Sequence, residues 1–239
     1  MTLTTYKWSI EEWHELVNVG LLEGKPVEFL EGEIVVRWSA PTASLANPHS
    51  GLGPEGVEHR YTNSSVVKYL RVVFNKIAEI QESHPITLDN SEPEPDVAVV
   101  RLPETIALGD SPLPKAMSDC YSSHRTHHPY PEDIYWLIEI AAESRVLKDT
   151  PSDIGERRKG TSAKTSNRTL KADLNQKKIT YARNGIPEYW VIDLVNKKLI
   201  VHTQIQNNKY TQVNEYTTGT ISPLAFPNIA IALDKLLLY

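Results

Sequence analysis

Two acids stand where acids are costly. Asp96 lies in "EPEPDVAVV" (residues 92–100) and Glu139 in "IYWLIEIAAES" (residues 134–144), and both stretches otherwise read as buried β-strands. A carboxylate inside a β core is unfavourable unless it is paired or bound to a metal. Two such strands side by side would bring Asp96 and Glu139 together, and a divalent cation relieves their repulsion. Mg²⁺ suits the pair, because it is usually held by one or two carboxylates, with water and substrate phosphate completing its shell. Such a cation acidifies water and offsets charge on a phosphoryl oxygen. A third group, a cation supplied by the protein, is expected beside them. In "DLNQKKITYARNG", Asp173, Lys177 and Tyr181 recur every four residues and share one helix face. Each residue alone also has a plainer reading. An acid can face solvent from a half-exposed strand, Lys177 can lie on the surface, and Asp173 can pair with Lys177 along the helix.

The elements that must position these groups alternate between helix and strand. "WSIEEWHELVNVGLL" opens with Ser9 as a cap and Glu11 and Glu12 in its first turn, which predicts a short helix ending at Gly20. "PVEFLEGEIVVRW" alternates around Glu31-Gly32 and predicts a hairpin. Val66, Val67, Leu70, Val73, Phe74 and Ile77 have helical spacing and predict a long helix through residue 80. "PITLDN" and "PDVAVVRL" read as short strands. "TLKADLNQKKITYARNG" reads as a helix closed by Gly185. Residues 187–216 read as three strands joined by polar turns, and "IALDKLLLY" as a last helix. The mixed order predicts one α/β or α+β domain over residues 1–239, built on a mixed central sheet flanked by helices. Loop insertions are expected at about 103–133 and 149–168.

Composition sets limits. The chain has 239 residues and a formal charge of −5, so no global basicity marks it for nucleic acid, although a local basic patch can still bind phosphate. Cys120 is the single cysteine, which excludes an intrachain disulfide and fits a reducing compartment. No apolar leader opens the sequence and no run is long enough to span a membrane, so a cytoplasmic protein is expected.

The stretches "EPEPDVAVV", "LIEIAAES" and "DLNQKKITYARNGIPEYWVID" resemble the Uma family of restriction endonucleases, within the PD-(D/E)xK nuclease superfamily. The resemblance runs from about Tyr6 to the C-terminus and is most specific over residues 181–194. It implies a restriction-endonuclease-like fold and Mg²⁺- or Mn²⁺-dependent cleavage of phosphodiester bonds in nucleic acid, with DNA the expected substrate. Asp96 matches the acid of the PD element and Glu139 the second acid, and the main-chain carbonyl of Ile140 matches a third metal ligand. The superfamily's usual lysine position, two residues after the glutamate, is here Ala141. Lys177 matches the lysine as this family carries it, on the following helix. Glu28 matches an N-terminal acid that completes the catalytic set. The helix follows "ES" at a greater distance than is usual in the family, so Asp149 competes with Asp173 as the equivalent acid. Asp173 with Lys177 keeps the spacing and is preferred.

Between residues 157 and 183 the charge is strongly basic. Arg157, Arg158, Lys159, Lys164, Arg168 and Lys171 are the candidate nucleic-acid contacts, since phosphate binding needs local positive charge. A solvated basic loop has the same composition. "HRTHH" (residues 124–128) fits no zinc spacing and reads as a loop leading into the next strand. His59 opens the long helix and reads as a cap or surface residue in preference to a place in the cleft. The alternative to a nuclease is a non-catalytic protein of the same fold that binds nucleic acid or regulates. A homodimer is expected if two strands are cut.

Overall fold

The structure is a computed structural model and describes residues 4–25, 27–36, 57–102, 127–141 and 174–238. Helix α1 (Ile10–Asn18) begins at Ser9, whose hydroxyl accepts from the Glu12 amide while the Glu12 carboxylate accepts from the Ser9 amide. Strands β1 (Val27–Leu30) and β2 (Glu33–Val36) form an antiparallel hairpin. Its turn residues Glu31 and Gly32 have φ of 51° and 76°, the geometry that lets a two-residue turn follow the strands' twist.

The long helix α2 (Val57–Val73) ends earlier than its apolar spacing suggests. Lys76 takes φ of 61°, the chain turns, and β3 (Glu79–Glu82) begins where helix was expected. Ile77 is accordingly 42% exposed and outside the core. "PITLDN" is not a regular strand. It holds one isolated bridge, Leu88 to Ser91, beside another from Phe29 to Glu92.

The central sheet has six strands in the order β3, β4 (Val97–Val100), β5 (Ile134–Ala141), β6 (Glu188–Asp193), β7 (Lys198–Gln206) and β8 (Lys209–Tyr216). All neighbours are antiparallel except β5 and β6. Helix α3 (residues 174–183) lies between those two in the chain, as a parallel pair requires a crossover. Short strands β9 (Thr220–Ile221) and β10 (Ile231–Ala232) pair apart from the sheet, and α4 (Leu233–Leu237) follows.

Alternation along β4 and β5 divides the core into two layers. Val97, Val99, Trp136 and Ile138 pack with Val66, Leu70 and Phe74 of α2 and with Leu233 and Leu236 of α4. Ala98, Val100, Leu137 and Ala141 pack with Tyr181 of α3, Ile186 and Tyr189. Helices therefore cover both faces of a mixed α+β sheet. No helix among the described residues is long and apolar enough to cross a membrane.

Candidate active site

The last rung of the β4–β5 ladder pairs Val97 with Ile138. Continuing the antiparallel register by one residue sets Asp96 opposite Glu139. Opposite residues on such a pair share a face, with Cβ atoms about 5 Å apart. The ladder does not continue as main chain at that point. The Ile140 amide instead donates to Asp96 Oδ2 at 2.6 Å, so a carboxylate replaces the carbonyl that would have paired there. His59 Nε2, from the first turn of α2, reaches the same Oδ2 at 3.1 Å. Both contacts fall on Oδ2, so neither occupies Oδ1.

Glu139 meets α3. Its Oε1 accepts from the Tyr181 hydroxyl at 2.8 Å and lies 3.2 Å from Lys177 Nζ. The same ammonium lies 3.5 Å from Glu28 Oε1 and donates to the Glu94 carbonyl at 3.5 Å. The structure thus brings Asp96, Glu139, Ile140, Lys177 and Glu28 together from four separate segments. The four charged residues are each 6% exposed or less.

Local sequence explains each placement. Glu28 arrives because the hairpin docks through its neighbour Phe29, whose ring stacks on Trp13 at 5.3 Å and whose carbonyl accepts from the Glu92 amide. Lys177 faces inward because it shares a helix stripe with Tyr181, which is fully buried. Helix α3 ends in a Schellman motif: the Gly185 amide donates to Ala182 O and the Ile186 amide to Tyr181 O, with Gly185 at φ of 74°. Thr180 and Arg183 both bond Glu31, which fastens the hairpin along α3.

Burial first, and the Glu139 charge next, push the Tyr181 phenol well above its ordinary range, so it stays protonated and only donates. A second buried carboxylate lies four residues before Asp96. Glu92 Oε1 accepts from His128 at 2.8 Å, His14 at 3.0 Å and Thr87 at 3.0 Å, and Oε2 accepts from Trp13. Burial alone would raise this carboxyl. The bonds from His128, His14 and Trp13 outweigh it and bring the group down to about 2. The Glu92 bond in turn raises His128, against its partial burial.

His59 departs from its sequence reading, since it enters the site and does not lie on the surface. Of the "HRTHH" stretch, His128 bonds Glu92 and His127 stacks on Tyr130 at 5.0 Å. Asp173, Asp149, Arg157, Arg158, Lys159, Lys164, Arg168 and Lys171 lie outside the described residues. Sequence reasoning assigned no role to the Tyr181 hydroxyl or to Glu92. A polar cleft of about 350 Å³, lined by residues such as Glu31, Arg183 and Asn184, opens at the far end of α3 from Lys177, and Glu28, Glu92, Asp96 and Glu139 are not in its lining.

Among the described residues no group of three or more His, Cys, Asp and Glu side chains is arranged to hold a metal. Mg²⁺ does not require one, because two carboxylates with a main-chain carbonyl and water suffice. Hard oxygen donors on adjacent rungs, with Asp96 Oδ1 outside both of its named contacts, fit that ion. Among the described residues there is no cysteine to offer a soft metal a thiolate.

Residues 165–234 match the Uma2 family model, described as "Putative restriction endonuclease". The matched stretch contains α3 with Lys177 and Tyr181. No curated protein matches the chain. Among solved structures it is similar to one described as "a putative nuclease belonging to DUF820", from Anabaena variabilis ATCC 29413. The TM-score is 0.55 at 15% identity, and the alignment covers 96% of this chain and 97% of that one. The two chains share a fold.

Proposed function

We propose that this protein is a divalent-metal-dependent nuclease of the PD-(D/E)xK type, cleaving phosphodiester bonds of DNA in the cytoplasm. The observation that carries the reading is the Lys177 ammonium, buried 3.2 Å from Glu139 in a site that also holds Asp96. A lysine so placed has little reason to be there for stability, since buried ion pairs are often no better than apolar packing. The match of residues 165–234 and the shared fold support the same reading.

Asp96, Glu139 and the Ile140 carbonyl would hold Mg²⁺ or Mn²⁺, which when bound supplies charge neutralisation at the phosphoryl group and a more acidic water. The protein's own residues do the rest. The Ile140 amide and His59 fix the Asp96 carboxylate, Tyr181 engages Glu139, and Lys177 presents a positive charge where charge builds on the scissile phosphate. Glu28 holds that ammonium from the other side. Cutting both strands of a duplex would call for two copies of the chain.

The His59–Asp96 contact also suits a second reading, a non-catalytic nucleic-acid-binding protein in which the acid is sequestered. Titration calorimetry with Mn²⁺ and Mg²⁺, on wild type and on Asp96→Asn with Glu139→Gln, decides between them. Binding that is lost in the double variant, with cleavage on a panel of DNA and RNA substrates, supports the enzyme. A folded wild type that neither binds metal nor cleaves, with or without substrate present, sinks it.

A further inference from the structure

We infer that Tyr181 is the positioning residue for Glu139, and that its hydroxyl fixes the direction in which that carboxylate faces Asp96. The inference deepens the nuclease reading and rests on it, because it takes Glu139 as a metal ligand.

Lys177 and Tyr181 both reach Glu139 Oε1, and they differ in freedom. Lys177 Nζ also lies against Glu28 and the Glu94 carbonyl, on a flexible stem, so it can turn between partners and toward a substrate phosphate. Tyr181 cannot turn. Its ring is fully buried, meets Tyr189 edge-on at 5.2 Å, and sits in the apolar layer with Leu137, Ala141 and Ile186. Its main-chain carbonyl is held by the Ile186 amide at the helix end. A ring fixed at both ends delivers its hydroxyl to one point, 2.8 Å from Oε1. The carboxylate therefore stays oriented after Lys177 moves to the substrate.

Tyr181→Phe removes the hydroxyl and keeps the ring. Mn²⁺ affinity, measured by calorimetry without substrate, is expected to fall about 10- to 100-fold, the usual effect of losing a partner that orients a metal ligand. Tyr189→Phe, which removes a hydroxyl one ring away, is expected to leave Mn²⁺ affinity unchanged. In the metal-free protein, Tyr181→Phe and Glu139→Gln are expected to be non-additive in urea unfolding, because they remove the two ends of one bond. Additive effects in the metal-free cycle overturn the inference. So does wild-type Mn²⁺ binding that Tyr181→Phe leaves untouched, and this outcome spares the nuclease reading. A wild type that binds no Mn²⁺ overturns the nuclease reading, and this inference with it.

Discussion

Glu92 offers the sharpest physical test of the structure, because its expected effect has both a size and a pH window. Four side chains donate to this one buried carboxylate: Trp13 and His14 from α1, Thr87 from the segment between β3 and β4, and His128 from just before β5. Its pKa falls from an ordinary 4.5 to about 2. A carboxyl lowered on folding stabilises the native state above its unfolded pKa, and that stability is lost as pH falls through the folded one. The difference corresponds to about 3 kcal/mol in full, of which about 2.5 kcal/mol is gone by pH 2.5. His128, which the Glu92 bond raises, is protonated in that window, so the carboxylate faces that cation as it titrates. Glu92→Gln removes the titration. It also turns an amide N–H₂ toward a donor, because donors approach both oxygens and a glutamine has only one acceptor. Urea unfolding of wild type and variant at pH 7, 5, 3.5 and 2.5 provides the assay. The wild type should be the more stable by about 2–3 kcal/mol at pH 7, the cost of losing a charge-assisted buried bond. The two should converge by pH 2.5. Curves that run parallel from pH 7 to 2.5 would refute the reasoning.

Other perturbations follow from the same contacts. Lys177→Met leaves Glu28 and Glu139 buried without their shared ammonium, and should cost about 3–5 kcal/mol in urea unfolding; a loss below about 1 kcal/mol would mean the ammonium is not held there. His128 is raised by Glu92, so its stabilising contribution is full below its ordinary pKa of 6.5 and fades as pH rises through the raised value. Wild type should therefore lose up to about 1 kcal/mol between pH 6 and 9, with the half-exposed imidazole limiting the size, and His128→Ala should lose less. Gly32 has φ of 76°, and a Cβ there would come within 3.2 Å of the Lys7 Cβ and the Trp8 carbonyl. Gly32→Ala should cost at least about 1–2 kcal/mol by thermal melting. A variant as stable as wild type would show that the hairpin turn is not as described.

Much of the fold could be read from local pattern. The capping box at Ser9, the Glu31-Gly32 turn, the Gly185 terminus and the three strands after it all carry their signal within a few residues. The end of α2 and the start of β3 escape that pattern. The helical spacing that begins at Val66 runs through Ile77 in the sequence, but α2 ends at Val73 and the chain enters β3. Apolar residues continue a periodic pattern by chance across a turn, and Lys76, a good helix former, gives no sign that it adopts φ of 61°. In α1, Val17 lies four residues on from the buried Trp13, one turn along the same face, yet is 48% exposed. Which neighbour covers a face is a tertiary fact, and periodicity does not encode it.

The same division runs through the site. Asp96 and Glu139 could be found because each breaks an apolar run, and a broken run is a local signal. His59 breaks a pattern of the same kind, one that is harder to see. The buried stripe of α2 runs through Leu70, Val67, Val66, Asn63 and Thr62, and His59 extends it by one further turn. Polar side chains on the buried side of a helix need partners, and the partner here is Asp96, thirty-seven residues away. Lys177 and Glu28 break no pattern at all. An inward lysine on an amphipathic helix differs from an outward one only by what it meets, and Lys177 meets Glu28 across a separation of 149 residues. Single acids in β-strands could be read from their desolvation cost, whereas the pairing of acid with base had to wait for the hairpin, α3 and the end of the β4–β5 ladder to be placed together.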